Sequence, residues 1–395
     1  MHKPLTSWKN VLTSLGRRVN WPNFYRSKQQ RTLARHQENS RLRLEVECLE
    51  TRRMLTFIVA AFETPDLVVT TTVDIVDPLD GETSLREAIE FANDPTVGPD
   101  AEIEDFFLDE IIFSGGGTGD ADGDGTDNDT ITFDPSLAGQ TITLNSALPT
   151  LTEDATIYGD LDDDGTPDIT IDGNGNAVLS VSGVRNSFVF DGLNITGGVS
   201  NSGGAGLSIG LGSSVAVTVS NSVFEGNSAS GSTFSSAGGA ILVGSSSTLN
   251  VEDSTITGND AFAGGGIGVG DNFTTIYITD STVAGNTADS NGGGIDGGNV
   301  TVVRSTIAGN SAGGDGGGIE APNVSLTNST VSGNDAGGDG GGISSGDFIN
   351  LFASTVSGNE AGGDGGGISG TINVDLVNST AVSYTHLTLP TTPYV

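Results

Sequence analysis

Cysteine, aromatic residues and positive charge are all scarce in this sequence of 395 residues. The one cysteine, Cys48, cannot form an intrachain disulfide. Aromatic residues make up 6% of the chain and charged residues 16%, so a core has to be built from small aliphatic side chains together with serine and threonine. Length alone would permit two or three globular domains. A fold of stacked coils is also possible, because it needs no large central hydrophobic core.

The few positive charges are concentrated at the start of the chain. Residues 1–53 hold twelve of the fifteen Lys and Arg residues, and no lysine follows Lys28. The remainder carries Arg86, Arg185 and Arg304 against forty-six acidic residues, within a formal net charge of −35. Nucleic acids and anionic membrane surfaces both require basic patches. Neither is therefore expected as a partner.

Glycine is abundant, with 60 residues, and it marks an internal repeat. A GGGI phrase stands at residues 264–267, 292–295, 316–319 and 340–343, and each copy is followed by Ser-Thr-aliphatic-x-Gly-Asn. The last residues of those phrases, Asn286, Asn310, Asn334 and Asn359, are 24, 24 and 25 residues apart. A fixed period of this length indicates a solenoid.

The content of one period decides which solenoid is formed. Stretches such as residues 299–307 (NVTVVRSTI) are rich in Val, Ile and Thr and alternate in polarity, which is typical of strands. No segment of the repeat has apolar residues at helical spacing, which excludes ankyrin, TPR and HEAT arrays. The sequence predicts an all-β fold, a right-handed parallel β-helix of about 24–25 residues per coil with a small N-terminal capping helix.

In such a coil the backbone hydrogen bonds run along the axis to the next coil, so equivalent residues of successive repeats should lie directly above one another. We expect an inward aliphatic row formed by Ile241, Ile267, Ile295, Ile319, Ile343 and Ile368. A second row should mark a corner where asparagine adopts a left-handed conformation and bonds to its neighbours, formed by Asn227, Asn259, Asn286, Asn310, Asn334 and Asn359.

Four regions are expected along the chain. Residues 1–61 are a basic leader that ends in a short apolar stretch (MLTFIVAAF, residues 54–62), typical of a secretory signal and too short to span a bilayer. The alternative for this leader is a disordered tail. Residues 62–198 form a capping region and residues 199–380 the β-helix repeats. Residues 381–395 depart from the repeat and back-translate to a sequencing-library adapter, so we interpret them as an artefact.

The capping region contains the one predicted helix. Residues 66–77 (DLVVTTTVDIVD) are expected to form a strand, and residues 84–94 (SLREAIEFAND) a short helix. Ser84 and Glu87 have the spacing of a capping box. Leu85, Ala88, Ile89 and Ala92 form one apolar face. Such a helix is suited to covering the open β edge of a first coil.

Two acidic loops have the spacing of calcium ligands, D-x-D-x-D-G-x-x-[DN]. Oxygens at the first, third, fifth, seventh and ninth places converge on a hard cation, and the glycine permits a sharp turn. The predicted ligands are Asp160, Asp162, Asp164, Thr166 and Asp168 in one loop, and Asp120, Asp122, Asp124, Thr126 and Asn128 in the other. The twelfth residues, Ile171 and Ile131, exclude an EF-hand. The loops are similar to those of integrin-type and thrombospondin-type repeats; the alternative is a solvated acidic turn.

One further acidic column precedes the glycine triplets, formed by Asn291, Asp315, Asp339 and Asp364. Like charges one coil apart repel, so a cation between them would be stabilising. The RTX calcium repeats that this phrase superficially resembles have a period of nine, and here the period is 24. We therefore favour solvated turn residues for this column.

Three stretches resemble known families. Residues 41–55 (RLRLEVECLETRRML) resemble the export-associated motif of planctomycete surface proteins. Ser84, Leu85, Arg86, Glu87, Ala88 and Ile89 resemble the CSLREA domain of bacterial surface β-helix proteins, with Thr83 in place of the family's cysteine. The GGAI at 238–241 and the FEGN at 224–227 are similar to the tetrapeptides of chlamydial polymorphic outer-membrane proteins, which are β-helical adhesins. These resemblances imply export and surface display, and no reaction.

Two functions compete at this point. One is a non-enzymatic secreted or cell-surface protein of a bacterium, an adhesin or structural scaffold that contacts an extracellular polysaccharide or cell-surface ligand and is stabilised by Ca²⁺. The other is a polysaccharide lyase or glycoside hydrolase of the pectin-lyase-like type. Lyases need a basic residue beside metal-binding acids, and the solenoid holds only Arg185 and Arg304. Hydrolases need clustered acids that break the repeat. Because the acids here follow the repeat, we favour the scaffold and expect no enzyme activity.

Overall fold

The structure, a computed structural model, describes residues 67–77, 80–93, 129–210, 214–231, 237–270, 273–370 and 372–383. Within this part of the chain nearly all regular structure is parallel β, arranged as a solenoid of about nine turns with about 26 residues per coil. The predicted parallel β-helix is confirmed. The leader, the 120–128 loop and residues 384–395 lie outside the described residues.

Three sheets run the length of the solenoid. The first, sheet A, has eleven parallel strands, in the order β1 (Val68–Val69), β2 (Asp129–Phe133), β4 (Ala155–Tyr158), β7 (Ser187–Asp191), β11 (Ala216–Ser220), β15 (Thr248–Glu252), β19 (Thr275–Thr279), β23 (Asn299–Val303), β27 (Asn323–Thr327), β31 (Phe348–Phe352) and β34 (Asn373–Val377). The second, sheet B, has eight, in the order β6 (Leu179–Val181), β10 (Leu207–Ile209), β14 (Ile241–Val243), β18 (Ile267–Val269), β22 (Ile295–Asp296), β26 (Ile319–Glu320), β30 (Ile343–Ser345) and β33 (Ile368–Gly370).

Sheet C consists of two columns that meet in one long strand. Its first column is β3 (Thr141–Thr143), β5 (Ile169–Asp172), β8 (Leu193–Thr196), β12 (Val223–Glu225), β16 (Thr255–Thr257), β20 (Thr282–Ala284), β24 (Thr306–Ala308), β28 (Thr330–Ser332), β32 (Thr355–Ala361) and β35 (Thr380–Ser383). Its second column is β9 (Val199–Ser200), β13 (Ser228–Ala229), β17 (Asp260–Ala261), β21 (Thr287–Ala288), β25 (Ser311–Ala312) and β29 (Asp335–Ala336). The strand β32 continues through the corner and pairs with both columns.

Identical phases of the repeat stack directly on one another. The predicted isoleucine row is confirmed, because these residues are paired in register along sheet B: Ile241, Ile267, Ile295, Ile319, Ile343 and Ile368. A second inward row lies on sheet C: Phe224, Ile256, Val283, Ile307, Val331 and Val356. Both rows belong to one continuous apolar core, whose removal from water is the main favourable term in folding.

The coil length is less uniform than the sequence suggests. Successive corner asparagines are 24, 24 and 25 residues apart from Asn286 to Asn359, as predicted. The preceding steps are 27 residues, from Asn259 to Asn286, and 32 residues, from Asn227 to Asn259. Extra residues are accommodated in loops between strands, so the strand register is preserved while the mean period rises to about 26.

Buried asparagine side chains form a hydrogen-bond ladder along one corner, as expected. The N–H and Nδ2 of Asn286 both donate to Oδ1 of Asn310 at 3.0 Å, and those of Asn310 donate to Asn334 at 2.9 and 3.0 Å. Nδ2 of Asn310 also donates to the carbonyl oxygen of Val283 at 3.0 Å. The expected left-handed asparagine is wrong, since the preceding Gly309 has that conformation, with φ +63°. Glycine adopts this conformation without the steric cost of a Cβ, which accounts for the glycine before each ladder asparagine.

A second ladder of buried serines follows the corner between sheets A and C. Ser281 N–H donates to Oγ of Ser305 at 3.0 Å, and Ser305 N–H to Oγ of Ser329 at 3.2 Å. Oγ of Ser305 in turn donates to the carbonyl oxygen of Val303 at 2.7 Å. The residue before each ladder serine is left-handed, as at Arg304 with φ 50°. The constant serine of the Ser-Thr phrase is the signal for this ladder, which the sequence analysis did not interpret.

The segment predicted as one strand at residues 66–77 turns a corner instead. Val68 and Val69 pair with β2 in sheet A, whereas Val73 forms a bridge to Thr143 in β3 of sheet C. Between them, Thr70 N–H donates to the carbonyl oxygen of Thr83 at 2.9 Å. The first part of this segment therefore belongs to sheet A and the later part to sheet C, as two sides of an incomplete first coil.

The predicted capping helix is α1 (Leu85–Ala92), and it packs on β1 and β2 at the N-terminal end. Its capping box is confirmed: Ser84 N–H donates to Oε2 of Glu87 at 2.8 Å, and Glu87 N–H donates to Oγ of Ser84 at 3.2 Å. The predicted apolar face is buried in the core of the solenoid, through Leu85, Ala88, Ile89 and Ala92.

Arg86 fastens this helix to the first coil. Its Nε and Nη2 donate to the two carboxylate oxygens of Asp74 at 2.8 and 2.9 Å. Nη1 and Nη2 also donate to the carbonyl oxygens of Ala147 and Ser146, at 2.8 and 2.7 Å. The Asp74 side chain is 1% exposed. An arginine with four donor contacts therefore joins three segments, because a planar guanidinium can bind a carboxylate with two parallel bonds.

Candidate metal centre

The 160–168 loop is an insertion at one corner of the solenoid. In regular coils, two residues connect a sheet A strand to the following sheet C strand, as Arg304 and Ser305 do between β23 and β24. Between β4 and β5 the connection is residues 159–168. The loop therefore extends outward from a corner that is otherwise tight.

A backbone neck joins the two ends of this loop. Asp168 N–H donates to the carbonyl oxygen of Gly159 at 3.1 Å, and Gly159 N–H donates to that of Asp191 in the next coil at 2.8 Å. The next corner residue, Gly192, has φ +64°, and a Cβ there would lie 2.3 Å from the backbone nitrogen of Asp160. Only glycine allows the loop to rest this closely on the coil below it.

Three predicted ligands converge inside the loop. Asp160, Asp162 and Asp168 each offer a carboxylate oxygen, and these oxygens lie within 4.8 Å of one another. Asp160 is 3% exposed, whereas Asp162 lies at the surface. One buried and two more accessible carboxylates thus form a pocket of oxygen atoms that opens to solvent.

Backbone N–H groups hold these carboxylates in place. Asp160 accepts from Asp164 N–H at 3.2 Å and from Gly165 N–H at 2.8 Å. Asp168 Oδ2 accepts from Leu161 N–H at 2.7 Å. A carboxylate has about four lone-pair sites, so such bonds leave further sites for a cation. The same backbone bonds therefore order the loop and orient the carboxylate oxygens of Asp160 and Asp168.

The other two predicted ligands are placed differently. Oδ1 of Asp164 accepts from both N–H and Oγ1 of Thr166, at 2.8 and 2.5 Å. Asp164 is not part of the converged group, so a cation would compete with Thr166 for this oxygen. Ile171 at the twelfth place is buried in β5, which leaves no acidic side chain there to complete an EF-hand shell.

The local electrostatics favour a cation. Neighbouring groups of the loop that displace part of its hydration, together with the negative charges of Asp164, Asp168 and Asp160, raise the pKa of Asp162. The Tyr158 hydroxyl donates to Asp163, and this bond raises the pKa of Tyr158 to about 12. An oxygen-only donor set of several carboxylates is what Ca²⁺ prefers. The residues present therefore fit calcium, which Asp160, Asp162 and Asp168 would hold.

The acidic column before the glycine triplets has a structural role. Asp315 N–H donates to Oδ1 of Asn291 at 3.0 Å, and Asp339 N–H to Oδ1 of Asp315 at 2.7 Å. Asp364 N–H donates in the same way to Asp339 at 2.7 Å. The side chains of Asn291, Asp315 and Asp339 thus each accept a backbone bond from the following coil. This ladder explains the side-chain oxygen at these three positions.

A pair of carboxyl groups on sheet B was missed by the sequence analysis. Asp296 and Glu320 are paired in register on adjacent coils, directly after the isoleucine row. Burial, followed by hydrogen bonding to Glu320 and its charge, raises the pKa of Asp296 to about 8. Burial also raises the pKa of Glu320. The signal was the acid after GGGI in two successive coils, where other coils have Gly268 or Ser344.

No α-helix among the described residues is both long and apolar enough to cross a membrane. Comparison of the chain with protein-family models, with curated proteins and with solved structures gives no match.

Proposed function

We propose that this chain is a non-enzymatic extracellular or cell-surface scaffold of a bacterium, which presents the flanks of its β-helix to a polysaccharide or other cell-surface ligand. The observation that carries the proposal is the unbroken register of its inward rows and asparagine ladder from Asn227 to Asn359. A surface that repeats once per coil offers many equivalent contacts to an extended ligand. Catalytic sites, in contrast, tend to violate local regularity.

Export is supported by the beginning of the sequence. The basic leader is followed by a short apolar stretch, and residues 41–55 resemble the planctomycete export motif. Residues 84–89 resemble the CSLREA domain of surface proteins. In the structure Ser84 and Glu87 form the capping box of α1, its apolar residues are buried, and Arg86 forms an ion pair with the first coil. The large negative charge disfavours nucleic acid and anionic membranes as partners.

Calcium has a stabilising role in this proposal. Bound between Asp160, Asp162 and Asp168, Ca²⁺ would supply positive charge where three carboxylates converge. The loop rests on the corner at Gly192, so a cation that stiffens the loop also stiffens the junction between two coils. Binding to the folded state alone adds about 2.7 kcal/mol of stability at a concentration one hundred times Kd.

The calcium proposal is tested on the full chain by thermal unfolding with added Ca²⁺ and with a chelator. We expect Ca²⁺ to raise Tm, and the shift to be lost in Asp162→Asn and Asp168→Asn. Asp335→Asn, an exposed acid of β29, is the matched control and should retain the shift. An unchanged Tm in wild-type protein would remove calcium from the proposal and leave the scaffold function standing.

The second candidate is a polysaccharide lyase or glycoside hydrolase, and the carboxyl pair Asp296 and Glu320 is the observation that favours its hydrolase form. Two neighbouring carboxyl groups, one of them with a raised pKa, are the usual acid and base of glycoside hydrolysis. Release of reducing sugar from neutral and acidic polysaccharides distinguishes the two candidates. Steady release by wild-type protein that is abolished in Asp296→Asn would replace the scaffold by an enzyme.

A further inference from the structure

Four neighbouring strands of sheet A contain no charged residue. They are β19, β23, β27 and β31, with the sequences TIYIT, NVTVV, NVSLT and FINLF. On either side charge returns, with Glu252 in β15 and Asp375 in β34. We call the outward side of these four strands the uncharged face. It interrupts the surface of a chain whose net charge is −35.

A shallow groove crosses this face. It is lined mainly by residues of β23 and β27, with Phe348 and Asn350 of β31 at one side. Nδ2 of Asn323 donates to Oδ1 of Asn299 at 2.9 Å, so two amides from adjacent coils are aligned in the groove. Amide side chains carry both donors and acceptors. The groove therefore offers paired polar groups without charge.

Aromatic rings lie on the two sides of the groove. Phe348 is part of the groove lining, and Tyr277 lies on the neighbouring strand β19, where it pairs in register with the lining residue Thr301. Both rings are almost half exposed, at 43% and 46%. Coils are about 4.8 Å apart, so the strands that carry the rings are separated by roughly 14 Å. Exposed aromatic faces at this spacing leave apolar surface in water on both sides of a polar groove.

The chemistry of the face selects among ligands. A polyanion would be repelled by the surrounding acidic surface and would find no cation here, since Arg304 at the nearby corner is paired with Asp280. A basic partner would be drawn to acidic corners instead. Two copies of a chain with charge −35 also repel one another. What remains is an uncharged ligand that has hydroxyl groups for the amides and apolar C–H faces for the rings.

We infer that the uncharged face binds a neutral polysaccharide chain, which lies across β23 and β27 between Tyr277 and Phe348. This inference rests on the proposed scaffold function and deepens it by giving the location of the site and the class of ligand. Aromatic side chains supply large contact areas with little loss of conformational entropy. The open groove suits an extended chain, whereas small-molecule sites are usually enclosed.

Binding is measured with the full chain by affinity electrophoresis in gels that contain one neutral polysaccharide each, namely a soluble β-glucan, a xylan, a mannan or a dextran. A polyuronate and a sulfated polysaccharide are the anionic probes. We expect retardation by at least one neutral probe and by neither anionic probe. Tyr277→Thr and Phe348→Thr should each weaken binding about tenfold.

Phe352→Thr is the matched control, because Phe352 is exposed to a similar extent on β31 but neither lines the groove nor pairs in register with a residue that does, since its partner Thr327 lies outside the lining. It should bind as wild type, and circular dichroism should show all three variants folded. Equal binding by all variants, binding of anionic probes alone, or no binding to any polysaccharide would overturn the assignment of this face. So would self-association that is lost in Tyr277→Thr. Steady sugar release would instead overturn the scaffold function itself.

Discussion

Asn310 shows how much a single side chain contributes to one corner of the coil. Its Oδ1 accepts from both N–H and Nδ2 of Asn286, while its own N–H and Nδ2 donate to Asn334. Asn310 is 1% exposed, so no water replaces these bonds when the side chain is lost. Unpaired buried polar groups cost about 1–3 kcal/mol each.

Asn310→Ala is therefore expected to lower the free energy of unfolding by about 3 kcal/mol, because groups of Asn286 and the carbonyl oxygen of Val283 lose their partner. Asn250→Ala, on the outward side of β15, should change it by less than about 0.5 kcal/mol. Urea unfolding followed by circular dichroism measures both. Equal effects of the two substitutions would contradict the structural role of the ladder.

The carboxyl pair on sheet B predicts a pH dependence. The pKa of Asp296 is raised to about 8 by burial and by Glu320, and that of Glu320 is raised by burial and by the charge of Asp315. An unfolded aspartate has a pKa near 3.9. The folded state therefore binds its proton more tightly than the unfolded state, and stability declines as pH rises from about 4 to about 8.

Asp296→Asn removes this ionisation. Relative to wild type, the variant should gain stability through the same pH interval, by up to about 5 kcal/mol above pH 8. Urea unfolding at several pH values gives the difference between the two proteins. Asp335→Asn, which replaces an exposed acid of β29, is the control. A flat difference for Asp296→Asn would show that the pair does not share a proton.

At the scale of elements, the short helix α1 closes the N-terminal end of the core. Eight residues are too few to form a stable isolated helix, so its order depends on the capping box and on burial against β1 and β2. Arg86 adds a contact that reaches Asp74 in the first coil and the carbonyl oxygens of Ser146 and Ala147. The cap is thus held by side chains from three separate segments.

Arg86→Ala is expected to cost about 3 kcal/mol, since it leaves the Asp74 carboxylate buried without its partner. Arg304→Ala breaks an exposed ion pair with Asp280 and should cost less than about 1 kcal/mol. Hydrogen exchange of the α1 amides provides a local readout, and it should accelerate in Arg86→Ala alone. Similar losses for both arginines would contradict a special role for the buried pair.

At the scale of the whole molecule, each coil contacts mainly the coils before and after it. Deletion of residues 287–310 removes one period and brings Asn286 directly before Ser311, so that every row resumes in phase. Stability of a solenoid is nearly a sum of coil and interface terms. We expect a folded β protein with a lower Tm, shorter by about 4.8 Å along the axis.

Deletion of residues 287–298 is the matched comparison, because half a period places sheet A residues where sheet C residues belong. Circular dichroism and gel filtration should show that this chain is unfolded or aggregated. If the full-period deletion behaves no better than the half-period one, the coils are not equivalent units and the stacking account is wrong.

The regular coils could be predicted closely from the sequence, and the irregular parts less so. The isoleucine row at Ile295 and Ile319 follows from period alone, because stacked coils must superimpose equal phases. The coil before Asn259 departs from that period, since loops add residues without changing register. Residues 66–77 alternate like one strand, yet alternation does not show where a chain turns from one sheet to the next.

The sequence by itself determined the solenoid, its inward rows, the capping box and the spacing of the acidic loop, because these depend on residues that are near in the chain or repeat at a fixed interval. Only the tertiary structure decided which acids converge. The backbone bond from Asp168 to Gly159 brings the Asp168 carboxylate beside that of Asp160, whereas the Asp164 carboxylate accepts a bond from Thr166. It also decided that Asp296 pairs in register with Glu320 and that Tyr277 and Phe348 lie on opposite sides of one groove. Such proximities arise across coils, where the register of backbone hydrogen bonds sets which side chains meet.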